Sequence, residues 1–411
     1  MMKTLQRTIL YLAAAAIVTL ASGCNGGDTP IVSLGLDDYY RVARMTKLDL
    51  DPALTGQDYR WTITRPDGTD SIIEGQRRLV FLTAEEGRYT LRFDIKDPSV
   101  PMSHTMTVDV LHEEVEFSPY IATVTEYCPA PGQFVNEMPR YDEGDTAEDM
   151  ARKAGECISG TNDVMISLGA YGGYVTFAFD HTVVNLPGND FRIWGNCFYE
   201  ATHPEDRGGS AEPGIVMVSY DANCNGIADD PWYELAGSEY YSSKTHHNYT
   251  ITYSRPDPNA EPVEDGALDN LYYIPWKDNT GATGYVAHNI FHDGEYWPKW
   301  MPQQTLTFQG SCLAPNAIDR SGVGSYYILY SYDWGYVDNH PNDYPELNSF
   351  DISNAVDSEG RPVKLPGADW IRVYTAVNQY CGWIGETSTE LSRAADLHVI
   401  ATMVPTAARR R

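Results

Sequence analysis

Between Ile31 and His112 the chain breaks into short runs of alternating apolar and polar side chains, each ended by a turn signal. Tyr59-Arg-Trp-Thr-Ile63 alternates cleanly, and only an extended strand brings every second residue to one face. Pro66-Asp67-Gly68 supplies a turn, Leu79 to Leu82 a short apolar strand, and Gly87 to Ile95 and Thr105 to Val110 close the set. Strands this short at this spacing predict a small sandwich over residues 31–112.

The same grammar returns further on. Val164 to Leu168, Tyr174 to Phe179, Phe191 to Trp194 and Gly214 to Tyr220 read as strands. Gln304 to Gln309, Ser325 to Tyr332, Phe350 to Ser353 and Trp370 to Tyr374 continue them. The chain is therefore expected to be all-β, with a second, larger sandwich over 164–400. Residues 113–163 read as a linker, with a short helix capped by Asp145 or Thr146 and running to about Cys157. Regularity weakens around 240–310, where a proline-rich acidic loop precedes aromatics mixed with Gly, Asp and Asn. This reads as a long insertion at one end of the sandwich, and decorated loops on a rigid scaffold are where recognition usually lives.

Lys3 and Arg7 precede an apolar run, Ile9 to Ala21, that is too short to span a bilayer but suits a signal-peptide core. It ends in Leu20-Ala21-Ser22-Gly23-Cys24, which resembles a bacterial lipobox, with Ala21 where Leu is more usual. The expectation is a signal peptide over 1–23, lipidation at Cys24, a tether over 24–30, and a basic tail over 401–411. With 29 Lys and Arg against 57 Asp and Glu, the net charge of −28 excludes nucleic acid as a partner. Six cysteines remain after Cys24; an even number permits disulfides, but no CxxC pair suggests thiol chemistry.

Asp221, Asn223 and Asn225 alternate like the first side-chain ligands of a calcium loop. Gly226 supplies the sharp turn, Ile227 a backbone carbonyl, and Asp229 a further oxygen. Trp232 stands where an EF-hand has its bidentate Glu, so Asp230, Glu234 or a remote residue must complete the shell. A strand, not a helix, leads into the loop, so Ca2+ is expected in a structural role on a β-scaffold. The alternative is an Asx-rich turn without metal.

Residues 326, 328, 330, 332 and 334 share one face of a strand, so Tyr326, Tyr330, Tyr332 and Trp334 are expected to form an aromatic ladder. With Trp297 and Trp300 from the inserted region, these are the candidate ligand-binding residues, since flat aromatic faces suit sugar rings or planar macrocycles. The alternative is that the ladder packs as core. No GxSxG, HExxH or phosphate loop is present. Glu212, Asp333 and Glu386 qualify as glycosidase acids only because acids are abundant, so binding is expected and glycoside hydrolysis is the minority alternative.

Two stretches resemble known families. Residues 31–112, with Tyr59-Arg-Trp61 and Gly87-Arg-Tyr89, resemble the PKD-like immunoglobulin-type modules of bacterial surface proteins. Ser167-Leu-Gly, Gly172-Gly, Asn185-x-x-Gly188-x-Asp190, Glu212-Pro213, Asp221 to Glu234 and Gly382-Trp-Ile-Gly-Glu386 resemble a jelly-roll module of bacterial cell-surface lipoproteins. The resemblance implies an immunoglobulin/PKD-like sandwich followed by a jelly-roll. It also implies a surface-exposed outer-membrane lipoprotein acting beside a TonB-dependent transporter or other surface lipoproteins, with a cobalamin or other corrinoid as first-choice ligand. A glycan-binding protein and an adhesion or scaffold protein are the alternatives.

Overall fold

The computed structural model describes residues 33–96, 101–114, 116–162 and 164–403. The expected signal peptide, Cys24 with its tether, and the tail beyond Met403 lie outside them. Among the described residues no helix is long and apolar enough to cross a membrane.

The alternating runs become seven strands: β1 (Tyr39–Ala43), β2 (Leu48–Leu50), β3 (Tyr59–Thr64), β4 (Asp70–Glu74), β5 (Leu79–Phe81), β6 (Gly87–Ile95) and β7 (Met102–Leu111). Five form a sheet in the order β1-β7-β6-β3-β4, and β2 pairs with β5. In β6 the pattern is read directly: Tyr89, Leu91, Phe93 and Ile95 are buried, while Arg88, Thr90 and Arg92 are exposed. Trp61 is fully buried, its ring 4.6 Å from that of Phe93 and its indole N–H donating to the Arg77 carbonyl. Each such large side chain contributes roughly 1.5–3 kcal/mol by leaving water.

The segment expected to be a linker belongs largely to the second unit. Thr123–Cys128 (β8) is the outer strand of a six-stranded sheet, antiparallel to Tyr174–Ala178. The sheet continues through Trp370–Thr375, Gly214–Ser219, Trp232–Leu235 and Ala355–Val356. The helix α1 (Ala147–Ile158) starts at Thr146, whose hydroxyl accepts from the Asp149 N–H while the Asp149 carboxylate accepts from the Thr146 N–H. It buries Met150, Ala151, Ala154 and Ile158 and packs on β8, which covers the outer edge of the sheet.

Residues 240–310 are more ordered than their composition suggests. His246–Ser254, Leu268–Asp278, Thr283–Asn289 and Thr305–Cys312 form a four-stranded sheet. It packs on the six-stranded one: the Tyr253 hydroxyl donates to the Tyr171 carbonyl, and Gly310 leaves room for the Tyr374 hydroxyl. The insertion thus supplies a layer of the sandwich, and its alternation is obscured by register shifts at His246/Tyr249 and Leu268/Asn270/Ile274.

The two units meet across a small apolar cluster of Met45, Val184 and Val399, backed by Leu82 and Phe117. Arg44 and Glu113 form a buried bidentate pair beside it. Lys47 reaches across to the main-chain oxygen of Asp221 and the carboxylate of Asp369, both at 2.8 Å. The helix α2 (Leu397–Met403) is held by two histidines. His181 lies 2.9 Å from Asp396 Oδ2 and 2.7 Å from Asp180 Oδ1, and His398 lies 2.9 Å from Asp190 Oδ1.

Candidate functional site

The expected aromatic ladder does not form. The strand carrying Tyr330 ends there (Tyr327–Tyr330), and a turn through Gly335, at φ +90°, redirects the chain before Tyr336. Tyr326 is exposed; Tyr330 is half-buried beneath the Arg320 guanidinium. The Tyr332 hydroxyl donates to the Ala314 carbonyl and its ring packs on Tyr336. Trp297 is core, its indole N–H donating to the Met301 carbonyl. Trp300 is buried too, stacked on Tyr127 and Tyr141, with one edge lining an open groove of about 880 Å³ between β8, α1 and residues 300–306.

Trp334 stands apart. It is 44% exposed and forms a wall of a 210 Å³ cavity. Asn189, Glu346, Ser349, Asp351 and Asn354 supply the polar lining, and Leu235, Ala236 and Phe350 the apolar floor. The Ser349 hydroxyl is used locally by the Pro345 carbonyl, and Asp351 caps the Ser353 N–H. Among the described residues, the side chains of Asn189, Glu346 and Asn354 and the Trp334 indole N–H have no protein hydrogen-bond partner. An indole face ringed by uncommitted amides and a carboxylate is chemically suited to a polyhydroxylated ring, which stacks on the apolar face and bonds at its edge.

The Asp221 loop is closed by hydrogen bonds among its own residues. Asp221 accepts from the Asn225 and Gly226 N–H groups, Asn223 from the Asn225 N–H, and Asn225 from the Ile227 N–H. The Asn223 and Asn225 amides converge on Asp229, and Asn223 also reaches Asp230. Asp221, Asn223, Asn225, Asp229 and Asp230 thus share one compact loop rich in oxygen donors, while the Ile227 carbonyl accepts from the Asp229 N–H. Glu234 does not join them: its carboxylate accepts from the Ser311 hydroxyl at 2.7 Å, inside the sandwich, where burial pushes its pKa up to about 7.

A second acidic grouping is formed by residues far apart in sequence. Carboxylate oxygens of half-buried Glu212, and of fully buried Asp338 and Glu390, lie within 4.8 Å of one another. Asp338 accepts from the Asn196, Cys197 and Glu390 N–H groups; Glu390 accepts from the Ser388 hydroxyl and the Asn196 amide; Glu212 accepts from the Ser388 N–H. Desolvation is the first cause pushing all three upward, to about 7 for Asp338 and about 8 for Glu390. Two of the three are additionally raised by neighbouring carboxylates. Such a cluster either shares protons or takes a hard cation.

No family model and no curated protein matches the sequence. Solved structures that align with the chain include SusE-like protein BT2857, at 11% identity and a TM-score of 0.26, with 86% of this chain and 94% of that chain covered. They also include a chain from a study of the promiscuous specificity of carbohydrate-binding modules from the beta-sandwich superfamily, at 7% identity and a TM-score of 0.15, with coverages of 86% and 93%. Scores this low support no inference about this chain's function.

Sequence reasoning passed over Glu390 altogether, and nothing in it joined Asp338 to Glu212. Glu390 and Asp338 are placed by long-range pairing: Glu390 opposes Ser167, and Val337 bridges Gly214. Neither pairing leaves a spacing signal in the chain. Asn189 and Asn354, which frame the Trp334 cavity, were likewise invisible, since each is an ordinary turn residue until the fold brings them together.

Proposed function

We propose that this chain is a non-catalytic, surface-located glycan-binding protein, with Trp334 as the stacking platform of its binding pocket. The observation that carries this reading is the exposed indole set among the uncommitted side chains of Asn189, Glu346 and Asn354. A cavity of 210 Å³ holds a single ring, below the roughly 300 Å³ at which sites for larger ligands begin. That size favours a sugar over the corrin macrocycle expected first. The membrane anchor at Cys24 and the place beside a TonB-dependent transporter rest on the sequence resemblance. Ca2+ at the Asp221 loop is proposed as a structural ion supporting the unit that carries Trp334.

A second reading keeps the corrinoid, and its support is the 880 Å³ groove lined by Tyr174, Trp300 and Leu306, which is large enough for a bulky ligand. One calorimetric panel separates the two. Saturable binding of a glycan, lost in Trp334→Ala, supports the proposal. Corrinoid binding that survives Trp334→Ala supports the groove. Time-dependent release of sugar product would overturn the non-catalytic assignment, and binding of neither class would overturn both readings.

A further inference from the structure

A second concave site, separate from the Trp334 pocket, opens where Thr283–Asn289 meets the segment following Trp370–Thr375. Its cavity is about 110 Å³ and is walled by Trp276, Tyr285 and Tyr380, with Asn378, Gln379 and Glu386 among its polar lining. Tyr285 is 45% and Tyr380 38% exposed, and the Tyr285 ring also packs on Tyr272, with centroids 4.8 Å apart. Trp276 lies across Gly284, its partner on the neighbouring strand; any side chain at 284 would overlap the indole. That glycine leaves room for the indole, which lines the cavity.

The charge environment has one sign. No Lys or Arg lines the cavity. The acids acting on the Tyr380 hydroxyl are Asp265 and Glu386. Glu386 is buried, its oxygens accepting from the Gln133 N–H at 2.6 Å and the Gln133 amide at 3.1 Å. Those donors are neutral, so the group has hydrogen bonds but no counter-charge, and burial pushes its pKa up to about 7, so it carries a negative charge above that pH. The Gln379 amide is already spent on Asn316 and Thr387 and cannot donate to an anion. Three aromatic side chains and a carboxyl lining one cavity attract a cation through the ring quadrupoles and, once Glu386 is ionised, through direct Coulomb interaction.

We propose that Trp276, Tyr285, Tyr380 and Glu386 form an aromatic cage for an organic ammonium group, of the quaternary or alkylated kind. The cavity is too small for a sugar ring with its substituents but suits one headgroup. Metal ions fit poorly, since the walls offer rings where a hard cation requires several oxygens. The ammonium could reach the cage as a free solute or on a lipid headgroup, and the experiment distinguishes them.

The test is titration of the full chain, followed by Trp fluorescence, with choline, with its uncharged dimethylbutanol isostere, and with phosphatidylcholine vesicles. Choline should bind saturably and the isostere should not. Vesicle capture together with choline binding assigns the headgroup source; choline binding alone assigns the free solute. Tyr380→Ala and Tyr285→Ala, both at exposed positions, should each weaken choline by about tenfold, the scale of one cation–π contact in a partly desolvated site. Glu386→Gln should weaken it further, with circular dichroism showing whether the fold survives. Trp334→Ala should leave choline binding intact, which keeps this proposal separate from the glycan assignment. Failure of choline to bind the wild-type chain, or equal binding of the uncharged isostere, overturns the cage.

Discussion

Lys47 Nζ lies 2.8 Å from Asp369 Oδ2, and the two residues belong to different structural units. The same carboxylate oxygen accepts from the Asp221 N–H at 2.7 Å, so one lysine of the N-terminal sandwich is tied to the first residue of the candidate calcium loop. Both side chains are largely shielded, at 13% and 17% exposure, and Thr182 donates to the other oxygen of Asp369. Lys47→Met removes the counter-charge, and with it the ammonium that lies 4.3 Å from the Tyr220 ring centroid, while keeping an unbranched side chain. The expected cost is about 1–3 kcal/mol, the penalty for leaving a buried carboxylate short of a partner. Differential scanning calorimetry should show the lower-melting unit separating from the other; an unchanged single transition would show that the cluster around Met45 and Val399 holds the joint alone.

Chelation should lower the melting temperature of the second unit, by about 2–4 °C for each kcal/mol of lost binding energy in a domain of roughly 150–250 residues. Asp221→Ala should abolish that sensitivity, because Asp221 offers the least exposed carboxylate of the loop and its two oxygens already order the Asn225 and Gly226 amides. Glu390→Gln is the control. If it abolishes the effect of chelation and Asp221→Ala does not, the cation belongs to the Glu212, Asp338 and Glu390 cluster.

The two acidic groupings differ in how far the sequence revealed them. The Asp221 loop is local, so its candidate ligands fall at fixed intervals, and Glu234 is the one that the structure places elsewhere. That residue fails because the strand Trp232–Leu235 has already begun, which sends its carboxylate to Ser311. The cluster around Asp338 has no local signature, since its members converge only when the six-stranded sheet and the closing segment are assembled. β6 was legible to the residue because one face is core and the other solvent. The ladder from Tyr326 to Trp334 was not, because periodicity cannot show that the strand stops at Tyr330.

The buried cluster gives stability a pH dependence whose sign follows from the raised acids. Asp338 is pushed up to about 7 and Glu390 to about 8, while an unfolded carboxyl titrates near 4. Between those limits the folded chain binds more protons than the unfolded one, so stability falls as pH rises through the window. Each pH unit removes up to about 1.4 kcal/mol per titrating group. Denaturant titrations in chelator should therefore show greater stability at pH 5.5 than at pH 8, and Glu390→Gln should flatten the slope. A slope of opposite sign would mean that the carboxylates are ionised and paired with a retained cation.

The Trp334 assignment makes the most direct forecast for function. Removing the indole from the 210 Å³ cavity deletes its exposed aromatic face, beside the uncommitted Asn189, Glu346 and Asn354 side chains, and leaves the buried Phe350 in the floor. Trp334→Ala should cost about 2 kcal/mol of glycan affinity, the lower bound of a hot-spot aromatic, or roughly 30-fold in Kd. Asn354→Ala should cost less, about 1 kcal/mol, because a neutral hydrogen bond exchanged with water is worth that much. Trp334 is 44% exposed and packs on the cavity rather than in the core, so the variant should melt within a degree or two of the parent. Equal glycan affinity in parent and Trp334→Ala would remove the pocket from the binding site while leaving the fold intact.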